Sequence, residues 1–142
     1  MEEKVKIIFS AEQRSDGENA EISQILDGTR RDEGDTVILT FDEAWEGVEE
    51  AVHSVMRIQE NSVTVERKGP VRTVMEFLAE SDTMCEYETA LGTLDFVITT
   101  LDMEIERSAE RIQVMVHYEM YAQGSLISEN RLSVEGERKI CQ

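Results

Sequence analysis

Apolar and polar residues alternate with a period of two along much of the chain, and this pattern constrains the fold more than any other feature. Successive side chains of a β-strand point to opposite faces, so the alternation predicts strands with one buried and one exposed face. The clearest runs are Val37, Leu39 and Phe41; Val63 and Val65; Val71, Thr73, Met75 and Phe77; Leu94, Phe96 and Ile98; and Ile112, Val114, Val116, Tyr118 and Met120.

Short clusters of Gly, Asp, Asn, Ser and Pro separate these runs and are typical of tight turns. They predict strands near residues 4–13, 19–29, 36–43, 50–59, 62–68, 71–79, 83–90, 93–106, 110–121 and 126–137. Many consecutive strands joined by tight turns indicate an antiparallel meander, and a long meander avoids exposed edges by closing on itself. The sequence therefore predicts an all-β, antiparallel up-and-down barrel of about eight to ten strands. No stretch has linker composition, so a single domain over residues 1–142 is expected.

Two segments depart from simple alternation. Residues 43–60 fit a strand, because Val52 to Ile58 alternates. Helical spacing is also present there, in Trp45, Val48, Val52, Val55 and Met56, so strand and helix both stay open. The alternation also changes phase between Ile98 and Leu101, which predicts a β-bulge.

A resemblance to a known family lies in three central stretches: residues 63–69, Met75-Glu76-Phe77, and residues 87–94. In the same order along the chain are Gly28 closing the second strand, Phe41 and Glu43 in the third, Thr99 and Thr100 late in the eighth, and Tyr118. With these elements the sequence resembles the uncharacterised bacterial YwiB-like family. The resemblance implies a calycin-like, lipocalin-like barrel and no catalytic residues. Phe41 stands where a tyrosine is more usual in the family.

The charge balance excludes several classes of partner. The chain has 31 acidic and 14 basic side chains, for a formal net charge of −17. Nucleic acid and anionic membrane surfaces would repel such a protein. The sequence has neither an apolar run of signal-peptide length at its start nor one of transmembrane length, so we expect a cytoplasmic protein. Cys85 and Cys141 fit that compartment as reduced thiols.

Arg67 is the most informative single residue, because it lies in phase with Val63 and Val65 and is therefore expected to point inward. A buried guanidinium needs a partner, and Glu43 follows Leu39 and Phe41 on the inward face of its strand. We expect the two side chains to meet near one end of the barrel. The pair fits an anion-binding site in the lumen, a structural plug, or an arginine that emerges at the rim.

The inward faces also predict a candidate ligand pocket. Two phenols and a hydroxyl among apolar residues match the mostly apolar lining of small-molecule sites. Tyrosines that satisfy one another in a filled core have the same pattern. With the charged pair, the candidate ligand-binding residues are Glu43, Arg67, Met75, Phe77, Tyr87, Thr89, Phe96 and Tyr118.

The sequence holds no catalytic or metal-binding motif. It has no Gly-x-Ser-x-Gly, no phosphate-binding glycine loop and no calcium-loop spacing, and His53 and His117 have no Cys or His at ligand spacing. We therefore expect no enzyme activity, no metal and no cofactor. Two functions stay open: a barrel that binds a small apolar or anionic ligand in its lumen, and a filled, homodimeric or protein-binding barrel that acts through its outer face.

Overall fold

The computed structural model describes residues 2–44 and 49–139. These residues form ten strands, which match the predicted positions to within a few residues. The strands are β1 Glu2–Ser15, β2 Glu18–Glu33, β3 Thr36–Glu43, β4 Val52–Ile58, β5 Ser62–Lys68, β6 Arg72–Leu78, β7 Asp82–Thr89, β8 Gly92–Arg107, β9 Arg111–Ala122 and β10 Ser125–Arg138.

Each strand pairs antiparallel with the next, and β10 pairs with β1, so the sheet is a closed barrel. The prediction of an all-β, antiparallel up-and-down barrel is confirmed, and the architecture is consistent with the lipocalin-like class. Closure gives β1 and β10 a neighbour on both sides, which removes the exposed edges that an open meander would leave.

The ambiguous segment contains a strand where it is described. Val52, Ser54, Met56 and Ile58 are all buried and point inward, and Met56 lies between Leu39 of β3 and Val65 of β5. Burial of alternate residues requires a strand, so the helical reading is wrong for Val52–Ile58. Trp45 and Val48, which also supported a helix, lie outside the described residues.

The structure confirms the bulge and adds a second one. The register of β8 with β9 shifts between Thr100 and Asp102, which makes Leu101 the extra residue. A second shift in β10, between Leu126 and Ser128, was not predicted from the sequence. Each bulge changes which face the following residues occupy.

The second strand is longer than predicted, because Arg30 to Glu33 continue the pairing with β3. Gly28 therefore lies inside β2 and does not close it. A Cβ atom at Gly28 would lie 2.6 Å from the carbonyl oxygen of Thr40 and 2.8 Å from a side-chain carbon of Ile7. Only glycine allows the backbones to approach this closely.

The barrel interior is largely filled by side chains. Phe77 is fully buried and its ring lies 4.7 Å from that of Tyr118, and the rings of Phe9 and Phe41 lie 6.2 Å apart. These rings belong to one continuous apolar cluster to which all strands except β2 contribute buried residues, and Leu26 of β2 packs against it. The buried polar side chains stand out against this background.

Candidate functional site

Most buried polar side chains lie toward the end of the barrel at which β3, β5 and β7 finish. The register places Ser54 of β4 opposite Arg67 of β5, Arg67 opposite Thr73 of β6, and Thr73 opposite Tyr87 of β7. We call the following residues the interior polar cluster: Glu43, Ser54, Arg67, Thr73, Cys85, Tyr87, Thr100 and Tyr118.

An ion pair forms the centre of this cluster. The Nε atom of Arg67 lies 2.8 Å from Oε2 of Glu43, and the side chains are 12% and 2% exposed, respectively. The hydroxyl of Ser54 donates a second hydrogen bond to Oε2 of Glu43. The predicted pairing of Arg67 with Glu43 is thus confirmed. Strand parity was sufficient to find it, because both side chains continue an apolar inward face.

The guanidinium of Arg67 also faces neutral groups. Its Nη1 atom lies 3.5 Å from the sulfur of Met75. Burial raises the pKa of Tyr118 to about 12 and also raises the pKa values of Tyr87 and Cys85, while the charge of Arg67 acts to lower all three. Burial has the larger effect, so the two phenols and the thiol stay protonated at neutral pH and are available as hydrogen-bond donors.

Cys85 does not have the environment of a reactive cysteine. It is a free, buried thiol, and its Sγ atom lies 3.3 Å from the hydroxyl of Thr73. A nucleophilic cysteine needs a lowered pKa, whereas burial raises the pKa of Cys85. Cys141 lies outside the described residues.

Thr100 is the unusual member of the cluster. It is 2% exposed, and its Oγ1 atom has no hydrogen-bond partner among the described residues. Its register partner on β9 is Tyr118, whose side chain is also buried. Buried polar atoms are normally satisfied, so the hydroxyl of Thr100 marks a place where a further polar group would be favourable.

The remaining predicted site residues differ in how deeply they are buried. Met75 and Phe77 are buried, whereas Tyr87 and Phe96 are only half-buried, with rings 6.5 Å apart. Thr89 pairs through its backbone with Gly92, but its side chain lies outside what the structure describes. The structure thus brings Glu43, Arg67, Met75 and Tyr118 together and leaves Tyr87 and Phe96 nearer the solvent.

Sequence reasoning did not assign Ser54, Thr73 and Thr100 to the site. All three lie in phase with inward apolar residues, which is the signal that could have found them. Short hydroxyl side chains are tolerated on either face of a strand, so the residue type alone does not indicate that they face inward.

A second charged network at the opposite end of the barrel was also missed. Arg30 is 4% exposed and binds Asp32 through two hydrogen bonds, of 2.8 and 3.2 Å. Arg107 donates to the same carboxylate and to the backbone oxygens of Gly34 and Asp35. The hydrogen bond from Arg30 lowers the pKa of Asp32. This network ties the long strand β8 to the turn between β2 and β3.

The two histidines each pair with one carboxylate. His53 contacts Asp42, and Nε2 of His117 lies 2.8 Å from Oε1 of Glu129. Within residues 2–44 and 49–139, no group of three or more His, Cys, Asp or Glu side chains is arranged to hold a metal ion. The same residues form no helix that is long and apolar enough to cross a membrane.

Comparison with known proteins identifies a family and a fold. The model of the family described as "Domain of unknown function (DUF1934)" matches residues 7–134. The crystal structure of the ywiB protein from Bacillus subtilis is similar, with a TM-score of 0.87 and 18% sequence identity, over 98% of this chain and 94% of that chain. At this identity the likeness shows the fold alone.

Two further comparisons are weaker or negative. Ail, the attachment invasion locus protein of Yersinia pestis, aligns over 97% of this chain and 98% of its own, with 9% identity and a TM-score of 0.35. That likeness is too low to bear on the fold. No curated protein is significantly similar to the chain.

Proposed function

The chain belongs to the DUF1934 family, and from this premise we propose that it binds one small ligand inside the barrel. The ligand is mostly apolar and carries one hydrogen-bond-accepting head, such as a carboxylate or a carbonyl. Its head lies among the donors of the interior polar cluster, and its apolar part lies between the half-buried side chains nearer the solvent. The protein acts in the cytoplasm, as its acidic surface and the free thiol of Cys85 favour.

The unpartnered hydroxyl of Thr100 carries the proposal. A buried hydroxyl without a hydrogen bond costs about 1 to 3 kcal/mol of folding stability, so a folded protein retains one only where another gain offsets it. The neighbouring Tyr118 is buried, and burial raises its pKa, so its hydroxyl keeps the proton. A single ligand oxygen placed between the two side chains would accept a hydrogen bond from both hydroxyls.

The protonation states of the cluster favour an acceptor as the ligand's head. Because burial raises the pKa values of Tyr87 and Tyr118, both phenols hold their protons and can donate them to an oxygen. The guanidinium of Arg67 offers N–H donors and no acceptor. Glu43 balances the charge of Arg67, so a neutral carbonyl fits this environment as well as a carboxylate does.

The alternative function is a filled barrel that acts through its surface as a homodimer or a protein-binding module. The observation that favours it is the packing of Phe77 on Tyr118, since these two rings close the middle of the interior. Under this alternative the two hydroxyls are satisfied by buried water. We assign no enzymatic reaction under either function.

Native mass spectrometry of the freshly purified protein is the first test. A retained ligand adds a defined mass to the monomer, and that mass identifies the compound. The alternative predicts the bare chain mass together with a dimer that increases with concentration.

A binding titration then tests where the ligand lies. We expect dansyl-undecanoic acid, an apolar chain with a carboxylate head, to bind with one-to-one stoichiometry. Tyr118→Phe and Thr100→Val each remove one hydroxyl and should weaken binding by about five-fold, the equivalent of one hydrogen bond of about 1 kcal/mol. Thr99→Val is the matched control, because Thr99 points outward and binds Asp82. Saturable binding that neither inward variant weakens would place the probe elsewhere and refute the assignment.

A further inference from the structure

Four apolar side chains form a continuous row on the outer face of the barrel. Met84 of β7 is the register partner of Val97 of β8, Val97 is that of Tyr121 of β9, and Tyr121 is that of Leu126 of β10. Neighbouring strands lie about 4.8 Å apart, so the row extends about 14 Å across the sheet. Met84 is 74% exposed and Leu126 is 55% exposed. We call these four residues the apolar row.

The bulge in β10 completes the row. Ser128 is buried and faces inward, so simple alternation would turn Leu126 inward as well. The register shift between the two residues places Leu126 beside Tyr121 on the outside instead. An exposed leucine costs solubility, and here a backbone irregularity is what exposes it.

Acidic side chains border the apolar row on both sides. Toward the β7–β8 turn, the next outward positions are Glu86 and its register partner Asp95. On the other side, Asp82, Glu119 and Glu129 follow one another across the strands with Thr99 between the first two. The hydroxyl of Tyr121 donates to Glu119. His117, Arg14 and Arg131 lie around Glu129, at the far end of this border.

At the Met84 end the row opens into an acidic groove. The backbone pairing of β6 with β7 is confined to Arg72–Val74 and Glu86–Glu88, and beyond it the hydroxyl of Thr83 donates to the backbone oxygen of Glu76. A groove of about 600 Å³ lies over this part of the sheet. Met84 and the exposed Val74 line it together with four carboxylates and one cation, and these charged residues are Glu76, Glu86, Glu88, Asp95 and Arg72.

We propose that the apolar row and the adjoining groove bind a basic, amphipathic segment of another protein. The apolar residues of that segment would cover the row, and its Lys or Arg side chains would meet the two acidic borders and the groove. A second copy of this chain would bring carboxylates against carboxylates, which the net charge of −17 disfavours. Four side chains form a smaller contact than the roughly 800 Å² per partner of a stable complex, so the binding is transient. Thr73 and Cys85 of the interior polar cluster also line the groove, whereas the apolar row lies on the outer face.

Fluorescence anisotropy with a synthetic peptide tests the proposal on the full chain. The probe is a labelled amphipathic helix of Leu and Lys, and the control peptide replaces every Lys with Glu. We expect saturable binding of the Lys peptide, weakening as ionic strength rises, and no binding of the Glu peptide. Met84→Ser and Leu126→Ser should each weaken binding by about five-fold or more, as expected for loss of a contact worth about 1 kcal/mol or more.

Met115→Ser is the matched control, because Met115 is an outward methionine of β9 that is 46% exposed and lies outside the row. It should leave peptide binding unchanged. Equal weakening by Met84→Ser and Met115→Ser, or none by either row variant, would reduce the binding to general attraction between opposite charges and overturn the proposal. So would a concentration-dependent dimer that Met84→Ser and Leu126→Ser abolish, because the row would then be covered by a second copy.

Discussion

A double-mutant cycle on Arg67 and Glu43 measures the strength of the buried ion pair at the centre of the candidate site. Arg67→Met removes the charge and retains a long side chain that can pack on Met75. Glu43→Gln removes the opposite charge and retains an oxygen that can accept from Ser54. The cycle compares the free energy of unfolding of the two single variants and the double variant with that of the unchanged protein.

The structure sets the expected magnitudes. Glu43 is 2% exposed and Arg67 is 12% exposed, so either single substitution strands a charge away from water. Removing one member of such a pair typically costs about 3 to 5 kcal/mol. The double variant strands no charge, and we expect it to cost at least about 2 kcal/mol less than the sum of the two single variants.

The measurement is urea unfolding, monitored by far-ultraviolet circular dichroism. The slope of the free energy of unfolding against urea concentration should be the same for all variants. A matched control lies on the outer face of the adjacent strands β4 and β5, where Nη1 of Arg57 is 3.5 Å from Oε2 of Glu66. Exposed pairs contribute little, so the cycle of Arg57→Met with Glu66→Gln should give a coupling below about 1 kcal/mol. If the inner pair couples no more strongly than the outer pair, the reasoning from burial is wrong.

Three further predictions concern the stability of the barrel. Thr100→Val should raise the free energy of unfolding by about 1 kcal/mol, because it removes an unpartnered buried hydroxyl, whereas Thr99→Val should lower it slightly. A lower free energy of unfolding for Thr100→Val would mean that the hydroxyl of Thr100 is satisfied. Burial raises the pKa of Tyr118 from 10.0 to about 12, so the stability it contributes is complete below pH 10 and lost as the pH rises to 12. Alkaline unfolding should show this loss of about 2 to 3 kcal/mol, and Tyr118→Phe should make the loss smaller, leaving the part due to Tyr87 and Cys85, whose pKa values burial also raises; equal losses in both proteins would contradict the assignment. Added salt should raise the melting temperature by screening the net charge of −17, and an unchanged melting temperature would count against self-repulsion.

Much of the candidate site could be predicted from strand parity. Arg67 continues the inward face of Val63 and Val65, and Glu43 continues that of Phe41, so their pairing followed from two local patterns and the need of a buried charge for a partner. The bulge at Leu101 was visible in the same way, as a change of phase. Both features are visible locally, because the direction of a side chain in a strand depends only on the residues beside it.

The sequence by itself determined the all-β class, the approximate strand positions and which residues of each regular strand face inward. Only the tertiary structure decided which inward residues meet, because that depends on the register between strands and on the tilt that closes the barrel. The unpartnered hydroxyl of Thr100 and the buried Arg30 emerge only at that level. The same holds for the apolar row, since Met84 and Leu126 become neighbours of Val97 and Tyr121 through pairings across four strands and through a bulge that local alternation does not reveal.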